Sequence, residues 1–128
     1  MSMDIEVVAE TRDQVGESPV WSVREQALYW VDIEGRAIRR FEWSTRTTRS
    51  WQVPERVGCI ALRAGGGLIA GMETGVFAVS LPAEGEAATT TLLHAIAHPR
   101  EGMRFNDGRL DRQGRLWAST MVRDMSLA

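Results

Sequence analysis

Short apolar runs, cut at regular intervals by turn residues, constrain this chain most. Gly, Pro, Ser or Asp interrupts the sequence roughly every eight to twelve residues, and no stretch sustains a helical period, as expected of an all-β chain. Strands are predicted at Val20–Ser22, Ala27–Ile33, Ala37–Trp43, Thr48–Val53, Gly58–Arg63, Gly67–Met72, Gly75–Leu81, Thr91–His94, Gly108–Asp111 and Leu116–Met121. Stacking them reveals a repeat. Gly35 follows LYWVDIE and Gly75 follows LIAGMET, forty residues later, while Leu28, Leu68 and Leu116 open comparable strands at spacings of 40 and 48. A period of roughly 40–50 residues with about four strands per unit is the mark of propeller blades. The segment Leu81–Arg100 is less regular, and its AEGEAATTT stretch reads as an exposed loop or edge strand.

Composition narrows the chemistry. All fifteen basic residues are Arg, which removes Lys-based Schiff-base chemistry and a phosphate-loop Lys. These Arg are scattered among seventeen acids, so no basic block points to nucleic acid. No apolar run reaches signal-peptide or membrane-spanning length. Cys59 is the one cysteine, which excludes an intrachain disulfide and fits a reducing, cytoplasmic setting. Within VGCIAL it reads as a small buried hydrophobe.

Two segments carry candidate chemistry. In Gly16-Glu17-Ser18-Pro19-Val20-Trp21, Pro19 biases Ser18 towards extended backbone and Trp21 is expected to anchor the strand in a core. Glu17 there is either an oxygen ligand for a hard cation or a solvated turn residue. In Met103-Arg104-Phe105-Asn106-Asp107-Gly108, alternation places Arg104 and Asn106 on one face and Phe105 on the other. An Arg beside an amide can cradle the hydroxyls and carbonyl of a polyol, although Asp107-Gly108 also reads as the tight turn of a plain hairpin. His94 and His98 are four apart but lack the glutamate of a helical zinc motif. Asp32 and Glu34 flank a hairpin turn, Gly65–Gly67 forms another turn, and no Gly-x-Ser-x-Gly elbow occurs.

Taken together, GESPVW, LYWVDI, IALRAGGG and RFNDGRLDRQGRLWASTM occur in an order that resembles the senescence-marker-protein (SMP-30)/gluconolactonase family of sugar lactonases. The resemblance implies a six-bladed β-propeller with four-stranded antiparallel blades. The chain would form its N-terminal two-and-a-half to three blades, at about 15–53, 54–94 and an incomplete 103–128. It further implies one divalent metal ion (Ca, Zn, Mn or Fe) with Glu17 as a ligand, and Arg104 and Asn106 as sugar contacts. Asp124 is the candidate for an acidic substrate contact, shortened from the family's Glu. The implied activity is metal-dependent hydrolysis of a sugar lactone to its aldonic acid. The remaining ligands and the general base are expected beyond Ala128, so that the chain is expected to be a fragment with no catalytic base of its own. The alternative is a non-catalytic propeller piece or interaction module, with self-association through its open blade face as a further expectation.

Overall fold

The structure is a computed structural model and describes residues 2–127. Ten strands form three antiparallel sheets in chain order. The first is β1 (Gly16–Ser22), β2 (Ala27–Asp32), β3 (Ala37–Glu42) and β4 (Thr47–Gln52). The second is β5 (Cys59–Leu62), β6 (Leu68–Gly71), β7 (Gly75–Ser80) and β8 (Thr89–Ala95). The third holds β9 (Met103–Leu110) and β10 (Leu116–Val122), followed by a 3-10 turn at Met125–Leu127. No described helix is long and apolar enough to cross a membrane.

The core lies where the two four-stranded sheets face each other. Alternation along β2 buries Ala27, Tyr29 and Val31, and Ile33 and Ile38 join them. Val57, Ile60, Leu68, Ala70, Met72 and Val79 meet them from the second sheet. The connector after β7 crosses back to cover the outer edge of β4. There the Gln52 N–H donates to the Glu86 carbonyl (2.6 Å), and the Ala88 N–H donates to the Gln52 carbonyl (2.9 Å). Backbone groups that would otherwise template pairing with another chain are thereby satisfied. At one end of the molecule, Arg56 pairs with both Glu34 (2.9 Å) and Glu73 (3.0 Å), linking the first two sheets.

The inner strands β1, β5 and β9 stand side by side, and their spacing depends on missing side chains. A Cβ at Gly58 would overlap the Phe105 carbonyl, and one at Gly108 would lie 2.7 Å from Cys59 Sγ and 3.0 Å from the Trp117 carbonyl. Only glycine permits backbone to approach backbone this closely. Phe105 N–H then donates to the Met72 carbonyl at 2.9 Å, fastening β9 to the second sheet.

Four local expectations are corrected. β9 runs straight through Asp107-Gly108, so that dipeptide is not a turn. β1 begins at Gly16 rather than Val20. Ser18 is left-handed (φ 55°) instead of extended, because it sits in a β-bulge. Trp21 is exposed and meets Trp43 edge to face at 6.5 Å, outside the core. Gly58→Ala should therefore act through β9 even though it lies before β5. We expect a loss of about 1–3 kcal/mol in urea unfolding from overpacking, with the largest amide shifts at Phe105 and Asn106 in NMR spectra.

Candidate functional site

One segment from each inner strand lines an open cleft of about 650 Å³: Glu17–Trp21 of β1, Ile60–Leu62 of β5 and Asp107–Leu110 of β9. Both outer walls are bulged at the same relative place. In β1, Glu17 pairs with Val31 and Val20 with Tyr29, so Ser18 and Pro19 together oppose Trp30. In β9, Phe105 pairs with Thr120 and Gly108 with Ala118, so Asn106 and Asp107 together oppose Ser119. A bulge re-aims the side chains beside it, and here it turns acidic residues towards the cleft. The left-handed backbone at Ser18 costs on the order of 1 kcal/mol. Its hydroxyl offsets this by accepting the Ile60 N–H at 3.1 Å, which ties β1 to β5.

The sequence-predicted residues separate into three groups. Glu17 is exposed on the cleft wall. Arg104 and Asn106 precede the lining part of β9 and are coupled, since Arg104 Nη1 donates to the Phe105 carbonyl (2.9 Å) and to Asn106 Oδ1 (3.2 Å). Arg104 is 7% exposed and its Nε has no partner, whereas Asn106 is half-buried. Because Oδ1 is engaged by Arg104, the Asn106 amide nitrogen keeps its two donors for another partner. Asp124 lies outside the cleft and caps the last turn, accepting the Ser126 hydroxyl (2.6 Å) and N–H (3.0 Å), which hold its carboxyl below the usual range. Asp107, read from sequence as a turn residue, is the acid that sequence reasoning missed. Its place next to Asn106 in the RFNDG run was the signal for it in the sequence.

Other candidates are structural. Cys59 is buried, which pushes its thiol up and makes it a poor nucleophile. His98 Nε2 donates to the Glu73 carbonyl at 2.6 Å, while His94 is exposed on β8. Asp32 is buried at the end of β2. Burial alone would raise its pKa, but the N–H groups of Val15, Gln14 and Gly35, with Arg39, outweigh it and lower the value.

Asp111 holds the β9–β10 hairpin. Its carboxylate accepts Trp117 Nε1 (2.9 Å), the N–H groups of Arg115 (3.0 Å) and Gln113 (2.9 Å), and Arg115 Nε (2.7 Å). The Trp117 indole and the Arg115 amide lead in pulling its pKa to about 2.

A family model described as SMP-30/Gluconolactonase/LRE-like region matches residues 15–127. The chain belongs to this family. A 6-deoxy-6-sulfogluconolactonase of Pseudomonas putida is 37% identical over 94% of this chain and 40% of its own length. The chain therefore spans about two fifths of such a relative. Among solved structures, a luciferin-regenerating enzyme superposes with a TM-score of 0.81 at 25% identity, over 88% of this chain and 38% of that one. A calcium-binding protein, regucalcin, from Agrobacterium tumefaciens superposes with a TM-score of 0.77 at 22% identity, over 91% and 38%. Both support the same fold, so the three sheets are consecutive blades of a β-propeller, two complete and one half-built.

The lowered pKa of Asp111 gives a pH prediction. A depressed carboxyl stabilises the fold above its unfolded value, and that contribution fades as pH falls from about 4 through about 2. Thermal melts of Asp111→Asn between those limits should depend less steeply on pH than wild-type melts.

Proposed function

We propose that this chain forms part of a sugar-lactone binding and hydrolysing propeller, acting on a small lactone such as an aldonolactone. The observation that carries the reading is the Arg104–Asn106 pair beside a cleft that also presents Glu17, on two inner strands bulged at matching positions. The 37% identity to a sulfogluconolactonase supports this substrate class.

The family resemblance implies a divalent metal ion, and the regucalcin relative is described as calcium-binding. The described residues do not complete such a site. No grouping of three or more His, Cys, Asp or Glu that could hold a metal occurs among them. Glu17 supplies one oxygen donor and Asp107 shares its cleft, but hard cations take six or more oxygen ligands. The roles assigned to this chain are accordingly binding and orientation. The Asn106 amide N–H groups donate to a hydroxyl or ring oxygen of the sugar. Arg104 acts through Asn106, fixing the amide and lending positive charge from behind it. Asp124 lies outside the cleft with its carboxylate engaged by Ser126, so no substrate contact is assigned to it. Holding the lactone in one pose is the part of catalysis such groups supply, since orientation lowers the entropic barrier to attack by water. No described residue is assigned the role of taking water's proton.

The incomplete donor set also favours a second reading, a non-catalytic interaction module that takes no sugar. Titration of the ¹⁵N-labelled chain with D-gluconate and with glucono-1,5-lactone separates the readings. The expected result is shift changes confined to β1 and β9, abolished in Asn106→Ala, with lactone hydrolysis at the uncatalysed rate. Shifts elsewhere, or binding that survives Asn106→Ala, would overturn the assignment of this site. Absence of any binding would favour the module.

A further inference from the structure

A second cavity opens at the end of β1 away from Glu17. It measures about 350 Å³ and lies between two hairpin turns, the one after β1 and the one after β5. Both turns join strands of the four-stranded sheets, so its walls come from the two complete blades. Leu62 is the one residue it shares with the lining of the cleft.

These walls offer donors. Arg24 and Arg63 both line the cavity, and neither pairs with a carboxylate among the described residues. Glu25 is the acid on the wall, and its carboxylate is engaged: it accepts the Tyr29 hydroxyl at 3.0 Å and faces Arg40 at 3.8 Å. Ser22 is 3% exposed, and its Oγ accepts the Glu25 N–H at 3.2 Å. A serine hydroxyl also carries a proton to donate, and no described residue accepts that of Ser22. A buried donor left unmet is costly.

The turn after β5 adds main-chain donors. It is closed by the Arg63 N–H on the Gly67 carbonyl (3.1 Å) and the Gly66 N–H on the Arg63 carbonyl (3.0 Å). The N–H groups of Ala64 and Gly67, both on the cavity wall, donate to no described residue. Gly67 must be glycine, since its φ is +73° and a Cβ would lie 2.5 Å from the Val79 carbonyl.

We infer that this cavity binds a phosphoryl group, as free phosphate or as the head of a small phosphate monoester. Two guanidinium groups repel a cation, and an apolar occupant would leave the hydroxyl and both N–H groups unmet. A tetrahedral dianion satisfies the set, because its oxygens accept from several directions and match the forked guanidinium donors in pairs. The inference is independent of the lactone reading, since none of these donors lines the cleft.

Titration of the ¹⁵N-labelled 128-residue chain with sodium phosphate at fixed ionic strength and neutral pH tests it, with glycerol 3-phosphate as the second probe. The expected result is saturable shifts at the Ala64 and Gly67 amides and the Arg24 and Arg63 Nε–H signals. Arg24→Gln and Arg63→Gln should each weaken binding roughly tenfold, the scale of one charge-assisted contact. Both side chains are on exposed residues, so the variants should melt as the wild type does. Tighter binding of the ester identifies a phosphate monoester as the ligand, and tighter binding of phosphate identifies the free ion. Shifts that never saturate, that chloride reproduces at equal ionic strength, or that survive both arginine substitutions overturn the inference.

Discussion

The close approach of β5 to β9 is the contact on which the rest of the molecule depends. Two sheets can share a core at ordinary side-chain separation, but the inner strands of a propeller converge, and there is no room for a Cβ between them. Gly58 and Gly108 meet the requirement from opposite sides, one against the Phe105 carbonyl and the other against Cys59 Sγ. Small Cys59 fills the remaining space, and its thiol is kept neutral by that burial. With the two strands in contact, the Phe105 N–H reaches the Met72 carbonyl and fastens the third sheet to the second. Widening this seam by one methyl group would move Asn106 and the cleft wall together.

Convergence also explains the bulges in the inner strands β1 and β9, while a third irregularity, at Leu93 of β8, lies on an outer strand. A flat strand at the centre alternates side chains strictly between the two neighbouring blades, leaving none to address the channel. One extra residue breaks the alternation locally. In β1 the bulge takes Pro19, which has no ladder N–H to lose, and the left-handed Ser18, whose hydroxyl finds the Ile60 amide. In β9 it takes Asn106 and Asp107. Local strain is thus placed where side chains must leave the sheet pattern, and hydrogen bonds to the neighbouring blade offset it.

Much of the architecture was legible because strand burial follows a period of two and the turns recur every forty or so residues. The fold class, the strand positions of β2 to β7 and the burial of Cys59 follow from that arithmetic. What failed was local reading at the inner strands. Asp107-Gly108 carries strong turn chemistry, yet Phe105 pairs with Thr120 and Gly108 with Ala118 on either side of a bulge, so the strand continues through it, which is tertiary context overriding a dipeptide preference. Trp21 looked like core because of its size, but it lies near the cleft end of β1, where no sheet covers it. Alternation put Arg104 and Asn106 on one face correctly, as their hydrogen bond requires, but it carries no information on depth.

Depth is what gives Arg104 its character. A guanidinium has five donors and cannot shed its charge, so its burial is expensive unless carboxylates surround it. Arg104 has no carboxylate partner among the described residues; Nη1 serves two neutral oxygens and Nε serves none. Packing alone would favour an apolar side chain at this position. The charge stands directly behind Asn106, whose Oδ1 it engages. Lys would not substitute, since a compact ammonium lacks the planar fork that reaches the Phe105 carbonyl and the Asn106 amide from one buried position. A chain whose every cation is Arg is suited to this use, and Arg104 is the one among the fifteen that pays for burial without an ion pair.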